Sequence, residues 1–119
     1  MLAKKYRFHS RGGVNFVYRN GKTIRRSSMS LVFCGNSRGF TRMAVVVSKK
    51  VAKTAVERNR IRRRVYEALR ENMEFIPEKR DYIFVVYNKG IREMPRSSLV
   101  KLLGELVAES KVWYNKNNG

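Results

Sequence analysis

The sequence has few of the residues that build catalytic or disulfide-linked sites. Its 119 residues include one cysteine, Cys34, and one histidine, His9, which excludes an internal disulfide and a cysteine-rich metal cluster. Asp and Glu are absent from residues 1–56, and all nine of them lie from Glu57 onward. A self-sufficient phosphodiesterase usually needs clustered carboxylates for metal ions or a pair of histidines. The composition therefore argues against such an enzyme, and we predict no catalytic residue and no metal ligand.

Long apolar segments are also missing. The longest apolar runs, 43–47 and 82–87, are much shorter than the roughly 20 residues of a membrane-spanning helix. No hydrophobic signal core follows the basic N-terminus. We therefore expect a cytoplasmic protein of one domain, with no membrane partner.

Positive charge dominates the residues that are present. Lys and Arg number 27, the formal net charge is +18 at pH 7, and the pI is near 10.9. A domain this basic usually binds a polyanion, and nucleic acid is the first candidate. An anionic membrane surface would need a broad apolar face opposite the charges. A DNA-binding module is disfavoured because no recognition-helix or dimer pattern stands out.

Hydrophobic periodicity predicts an α+β fold with a mixed sheet. Strands are predicted from Thr23 to a turn at 34–39, at 40–48 and at 82–88. The first two are expected to pair as an antiparallel hairpin. A helix separates the second from the third, which predicts a parallel βαβ crossover.

Three helices are predicted, at 14–20, from 55 to about 72, and after Pro95. Gly21 ends the first helix. Thr54 and Glu57 have the spacing of a capping box at the start of the second. In the last helix the apolar residues recur at helical spacing, as in a core face: Leu99, Leu102, Leu103, Leu106 and Trp113.

The chain ends are predicted to differ from the folded part. Residues 1–13 are basic, and Gly12 and Gly13 act as a helix breaker there, so we expect a mobile arm that orders on binding. The α+β domain is predicted at 14–114, followed by a polar tail at 115–119.

The predicted second helix carries five arginines within the seven positions 58–64, in the segment AVERNRIRRRVYEALR. At about 100° per residue, Ile61, Val65, Ala68 and Leu69 share the core side. Arg60 and Arg64 interleave with glutamates on a second side, where the charges compensate. A third side has no acid, is bordered by Arg58, and carries the following residues: Asn59, Arg62, Arg63, Tyr66 and Arg70.

This acid-free side is predicted to bind a nucleic-acid backbone. Arginine offers planar, bidentate donors to phosphate. Asn can bond to sugar or base edges, and Tyr can stack on an unpaired base. A second basic group, Lys49, Lys50 and Lys53, lies where a strand ends and the helix begins, and a helix N-terminus favours anions. Arg25, Arg26, Arg38 and Arg42 are dispersed and could be solubilising charges.

The segments Ser48-Lys49-Lys50 and Arg58-Asn59-Arg60-Ile61-Arg62-Arg63 resemble the bacterial ribonuclease P protein subunit, over about 8–113. The resemblance implies an α+β domain like the second domain of a small-subunit ribosomal protein, with a left-handed βαβ crossover against the usual rule. It also implies two partners, a catalytic RNA and precursor tRNA with its 5′ leader, and about one protein per RNA. The active site and its Mg²⁺ would belong to the RNA.

The resemblance assigns site residues by position. It places Arg58, Asn59, Arg60, Arg62 and Arg63 on the catalytic RNA, and for Arg60 we follow the family rather than the helical wheel. It places Tyr18, Lys49 and Lys53 in a cleft for the leader, between the sheet and the basic helix. The acid-free side of the predicted second helix adds Arg70 to the residues expected on the catalytic RNA. Further candidates for leader binding are Tyr66, Phe16 and Phe33.

The sequence departs from the family pattern at two places. Val14 and Tyr18 stand where the family usually presents two aromatics, and Tyr66-Glu67 stands where it often has Arg-Glu. A ribosomal or other structural RNA-binding protein is the alternative, because it would share the charge, the fold and the arginine-rich helix. The two functions differ in whether the protein changes cleavage of precursor tRNA.

Overall fold

The computed structural model describes residues 11–35, 41–73, 76 and 80–118, with side chains described from 14 to 113 within these ranges. The elements, in chain order, are α1 (Arg11–Asn20), β1 (Lys22–Arg25), β2 (Met29–Gly35), β3 (Arg42–Val47), α2 (Ala55–Arg70), β4 (Arg80–Val86), a short 3-10 helix (Lys89–Arg92) and α3 (Arg96–Asn118). The strands form one sheet in the order β1-β2-β4-β3. The predicted α+β class with a mixed sheet is confirmed.

The first two predicted strands correspond to β2 and β3. The hairpin predicted between them is wrong, because β4 lies between them in the sheet. β2 pairs with β4 in antiparallel fashion, whereas β3 pairs with β4 in parallel, from Arg42 opposite Asp81 to Val47 opposite Val86. The β4 sequence is apolar on both faces, and such a strand is best buried in the middle of a sheet. The parallel crossover from β3 through α2 to β4 is confirmed, and its hand stays a prediction.

Both faces of the sheet are covered. The larger core lies between one face and the helices α2 and α3, and its fully buried members include Leu31, Phe33, Tyr82, Phe84, Leu99, Leu103 and Leu106. On the other face, Val17 of α1 packs against Val32, Ala44 and Ile83. These three strand residues are neighbours in the sheet register, so alternate positions of each strand face α1.

α1 begins at Arg11, three residues before the predicted start, so Gly12 and Gly13 lie inside the helix. The helix ends at Gly21 as predicted, where the amide donates to the Val17 carbonyl at 2.7 Å. A Cβ at this position would lie 2.7 Å from the Phe33 carbonyl oxygen. The missing side chain therefore lets the end of α1 approach the β2 backbone.

The ends of the other elements differ slightly from the prediction. α2 ends at Arg70 rather than near 72, and α3 continues into the predicted polar tail as far as Asn118. β2 runs through Gly35, while residues 36–39 of the predicted turn and residue 40 of the predicted strand lie outside the described residues, as do residues 1–10 of the predicted arm. Among the described residues, no helix has both the length and the apolar character needed to cross a membrane.

Candidate nucleic-acid interface

α2 begins where the sequence predicts and buries the predicted side. The Thr54 hydroxyl accepts a hydrogen bond from the Glu57 amide at 3.2 Å, so the predicted N-cap is confirmed. The four residues of the predicted core side are all buried: Ile61, Val65, Ala68 and Leu69. The arginine-bearing sides are therefore fixed relative to the sheet.

Tyr66 does not lie on the exposed side of α2. Its side chain is 6% exposed and belongs to the main core, so it is not accessible for stacking on a base, and this leader candidate is wrong. α2 contacts both β3 and α3. Its buried arc is consequently wider than the single stripe that the helical wheel assigned to the core.

Two of the five clustered arginines bind backbone carbonyl groups. Arg58 Nη1 donates to the carbonyl oxygens of Ala52 and Lys53, at 3.1 and 3.0 Å. Arg64 Nη1 donates to the Ile91 oxygen at 2.6 Å, and Arg64 Nη2 donates to the Met94 oxygen. The sequence predicted that glutamates would compensate Arg64, whereas in the structure its partners are carbonyls after β4.

The remaining motif residues are directed more to solvent. Asn59, Arg60 and Arg63 are exposed, and Arg62 Nη1 donates to Asn59 Oδ1. This contact holds Arg62 beside Asn59 on the outer surface of α2. We call Asn59, Arg60, Arg62 and Arg63 the arginine face.

Arg70 differs from the arginine face. Its guanidinium lies 3.3 Å from Glu67 on the same helix, so the prediction that Arg70 has no compensating acid is wrong. Its assignment to the RNA contact set stays a prediction, because both side chains of this pair are partly exposed and exposed pairs of this kind are weak.

The lysines before α2 lie on an ordered turn, residues 48–53, which we call the lysine turn. The Ser48 carbonyl accepts from the amides of Val51 and Ala52, at 3.0 and 3.3 Å, and the Ser48 hydroxyl accepts from the Lys50 amide at 3.1 Å. Val51 and Ala52 are buried, whereas Lys49, Lys50 and Lys53 are exposed. The buried pair anchors the turn and directs its lysines to solvent at the N-terminal end of α2.

The aromatic candidates for leader binding separate into different surfaces. Phe33 is 1% exposed and packs against Trp113 on the α2–α3 side of the sheet, so it is wrong as a leader candidate. Strand alternation directs its neighbours Val32 and Cys34 towards α1 instead. Phe33 therefore lies on the same side of the sheet as α2, where the leader cleft was predicted, but it is enclosed in the core and cannot contact a leader.

Phe16 and Tyr18 of α1 are 55% and 43% exposed. Two residues apart on a helix means about 200° of rotation, so they flank the buried Val17 on opposite sides. Phe16 therefore cannot replace the missing aromatic at Val14, which lies one turn before Tyr18 on the same flank. Partial burial raises the pKa of the Tyr18 phenol above its ordinary value, and a tyrosine with an ordinary or raised pKa is neutral at physiological pH.

The sequence did not reveal that two dispersed arginines are neutralised by acids. Arg42 forms a bidentate pair with Asp81, at 3.0 and 2.8 Å. Arg26 forms another with Glu109, at 3.0 and 3.5 Å. Neither pair has a local sequence signal, because the partners are far apart in the chain. Both acids are thereby paired with arginines outside the arginine face and the lysine turn.

A single α+β domain with an arginine face and an adjoining lysine turn defines a basic, RNA-binding class of protein. Residues 2–111 match the sequence family described as Ribonuclease P. The chain belongs to this family.

Known relatives agree in sequence and in fold. The ribonuclease P protein component of Blochmanniella floridana is 31% identical over 117 residues, covering 98% of this chain and 92% of the relative. A solved ribonuclease P protein of Staphylococcus aureus has a TM-score of 0.76 at 23% identity, covering 90% of this chain and 96% of that one. For the Thermotoga maritima protein the TM-score is 0.75 at 24% identity, with coverages of 85% and 94%. The two structures show the same fold.

Proposed function

We propose that this chain is the protein subunit of ribonuclease P, which binds the catalytic RNA and the 5′ leader of precursor tRNA and so promotes maturation of the tRNA 5′ end. The observation that carries the proposal is the exposed arginine face on α2, in a chain that matches the ribonuclease P family along 2–111. Relatives over nearly the whole chain carry the name ribonuclease P protein component.

The proposed mechanism is electrostatic and geometric. Bound Mg²⁺ would supply the phosphodiester chemistry on the RNA, and no side chain of this protein is assigned to that step. The arginine face neutralises phosphates of the catalytic RNA, since guanidinium groups match phosphate geometry. Neutralisation releases condensed counterions, which makes the affinity depend on salt. The protein thereby stabilises the arrangement in which catalytic RNA and substrate meet.

The proposed leader contacts are Tyr18 and the lysine turn. A partly exposed, neutral tyrosine can stack on an unpaired base, and lysines can follow the phosphates of a single strand. Phe16 lies on the opposite flank of α1 from Tyr18. The leader role is therefore given to Tyr18, and Phe16 serves as its comparison.

A cleavage assay at low Mg²⁺ tests the proposed function. A bacterial ribonuclease P RNA is mixed with precursor tRNA, with or without this protein, and release of the leader is followed. We expect the protein to stimulate cleavage at the mature 5′ end. Binding to the RNA without stimulation, repeated with ribonuclease P RNA from a second source, would contradict the proposal and favour a structural RNA-binding role.

Tyr18→Ala is expected to weaken binding of precursor tRNA to the holoenzyme while leaving binding of mature tRNA nearly unchanged. Loss of one base–aromatic stack corresponds to about 1–3 kcal/mol. Fluorescence binding titrations with labelled precursor and mature tRNA measure the two affinities.

Phe16→Ala is the matched control for Tyr18, because it removes an exposed aromatic from the same helix on the other flank. We expect it to leave the preference for precursor unchanged. Equal losses for precursor and mature tRNA in Tyr18→Ala would remove Tyr18 from the leader contacts.

A further inference from the structure

Arg58 connects α2 to the lysine turn. Its Nη1 group donates to the carbonyl oxygens of Ala52 and Lys53, at 3.1 and 3.0 Å. The first backbone bond of the helix runs from the Arg58 amide to the Thr54 oxygen, at 3.1 Å. The carbonyls of residues 52 and 53 therefore precede the helical ladder, and the Arg58 side chain reaches back to bind them.

The lysine turn depends on few other bonds. Ser48 holds its first half through the amides of Val51 and Ala52. The second half leads to the exposed Lys53 and is joined to α2 through the two contacts of Arg58 Nη1. A guanidinium has five N–H donors. Two donors on Nη1 serve the turn, which leaves three for other partners.

We infer that Arg58 is a positioning residue, which holds the lysine turn in place against α2 and thereby links leader binding to the arginine face. The leader part of this inference rests on the proposed function. Arg58 acts on the leader through Lys49 and Lys53, whose positions depend on the turn. The role goes beyond a phosphate contact, because it depends on the two bonds from Nη1 to backbone carbonyls and not on the charge alone.

Arg58→Lys tests the inference, because lysine keeps the charge but its side chain is one bond shorter, so the ammonium group does not reach the position from which Nη1 binds both carbonyls. In the free protein we expect the Val51 and Ala52 amides to exchange hydrogen roughly tenfold faster, as for loss of a bond to a charged donor worth about 1.5 kcal/mol. In the holoenzyme we expect the preference for precursor over mature tRNA to fall by a similar factor. The salt dependence of binding to the RNA subunit should stay as in wild type.

Arg64→Lys is the matched control. Arg64 lies on the same helix and also binds backbone carbonyls, but those carbonyls belong to residues 91–94. This variant should leave both exchange in the lysine turn and the preference for precursor at wild-type values, while the Ile91 amide exchanges faster. A general weakening of α2 would instead change both segments in both variants.

Hydrogen exchange in the free protein tests the positioning role of Arg58, and the tRNA affinities of the holoenzyme test its link to the leader. Unchanged hydrogen exchange at the Val51 and Ala52 amides in Arg58→Lys would overturn the positioning role, regardless of the tRNA affinities of the holoenzyme. Faster exchange with an unchanged preference for precursor would overturn the link to the leader. If the wild-type holoenzyme shows no preference for precursor over mature tRNA, the proposed leader binding is overturned, and the link from Arg58 to the leader fails with it. Hydrogen exchange still decides in that case whether Arg58 holds the lysine turn.

Discussion

Replacing Arg62 and Arg63 together by alanine is expected to weaken binding to ribonuclease P RNA and to make that binding less sensitive to salt. Both side chains belong to the arginine face. Each phosphate contact contributes about 0.7 to 0.9 to the slope of log affinity against log salt. Loss of two contacts should therefore reduce the magnitude of the slope by about 1.4 to 1.8.

Binding titrations at several monovalent salt concentrations, with Mg²⁺ held constant, measure this slope. Alanine has the highest helix propensity, so the substitutions are not expected to unfold α2. Far-ultraviolet circular dichroism checks that the helix is retained.

The control for net charge is the double replacement of Lys101 and Lys111 by alanine. It removes the same two charges from α3, where Lys101 is exposed and Lys111 is partly exposed. If local contacts determine binding, this variant should keep nearly the wild-type slope. An equal reduction of the slope in the two double variants would show that the arginine face acts only through the overall charge. An unchanged slope in the Arg62 and Arg63 variant would place α2 outside the interface.

The arrangement of the sheet illustrates what local patterns can predict. Alternation and β-branched residues located the strands, because these signals depend on each strand alone. Strand order depends on distant pairing, and proximity along the chain favoured the wrong hairpin. The apolar character of β4 on both faces contained the missing information, since residues 82–84 are fully buried. An edge position for such a strand would have exposed apolar side chains or left a face uncovered.

The helical wheel predicted the placement of α2 but not the partner of each arginine. Its core side was right because a 3.6-residue period determines which residues share a face. Tyr66 was misplaced because the buried arc of α2, which contacts both β3 and α3, is wider than one stripe. The carbonyl partners of Arg58 and Arg64 were missed because a pattern of side-chain charges gives no information on backbone carbonyls from other segments. The assignment of Arg58 to the RNA contacts stays a prediction, and a positively charged cluster in a sequence can contain internal clamps beside the residues proposed to bind phosphate.

Arg42 is the position where the sequence was least informative. It was grouped with dispersed, solubilising charges, yet it pairs with Asp81 across the parallel β3–β4 ladder. The partners are 39 residues apart, and only the parallel register brings them together. The side chains are 14% and 3% exposed, which makes this pair the most buried of the ion pairs described among residues 11–35, 41–73, 76 and 80–118.

Arg42→Ala is therefore expected to destabilise the protein by about 3–5 kcal/mol, because it leaves the Asp81 carboxylate buried without its main cation. Urea unfolding followed by the fluorescence of Trp113, the single tryptophan, measures the change in the free energy of unfolding. Trp113 packs against Phe33 at a ring-centroid distance of 5.7 Å, so its emission reports on the core. Replacing both Arg42 and Asp81 with apolar residues should recover part of the loss, since the buried carboxylate is then removed as well.

Arg26→Ala is the matched control for burial. Arg26 also forms a bidentate pair, with Glu109, but its side chains are 33% and 48% exposed. Water solvates the exposed Glu109 carboxylate after Arg26 is removed, so the expected loss is about 1 kcal/mol or less. The two variants remove the same chemical group from the same type of contact, and burial is the main difference between them. Similar losses of unfolding free energy in the two variants would show that water reaches Asp81 and that its pairing with Arg42 is not required for stability.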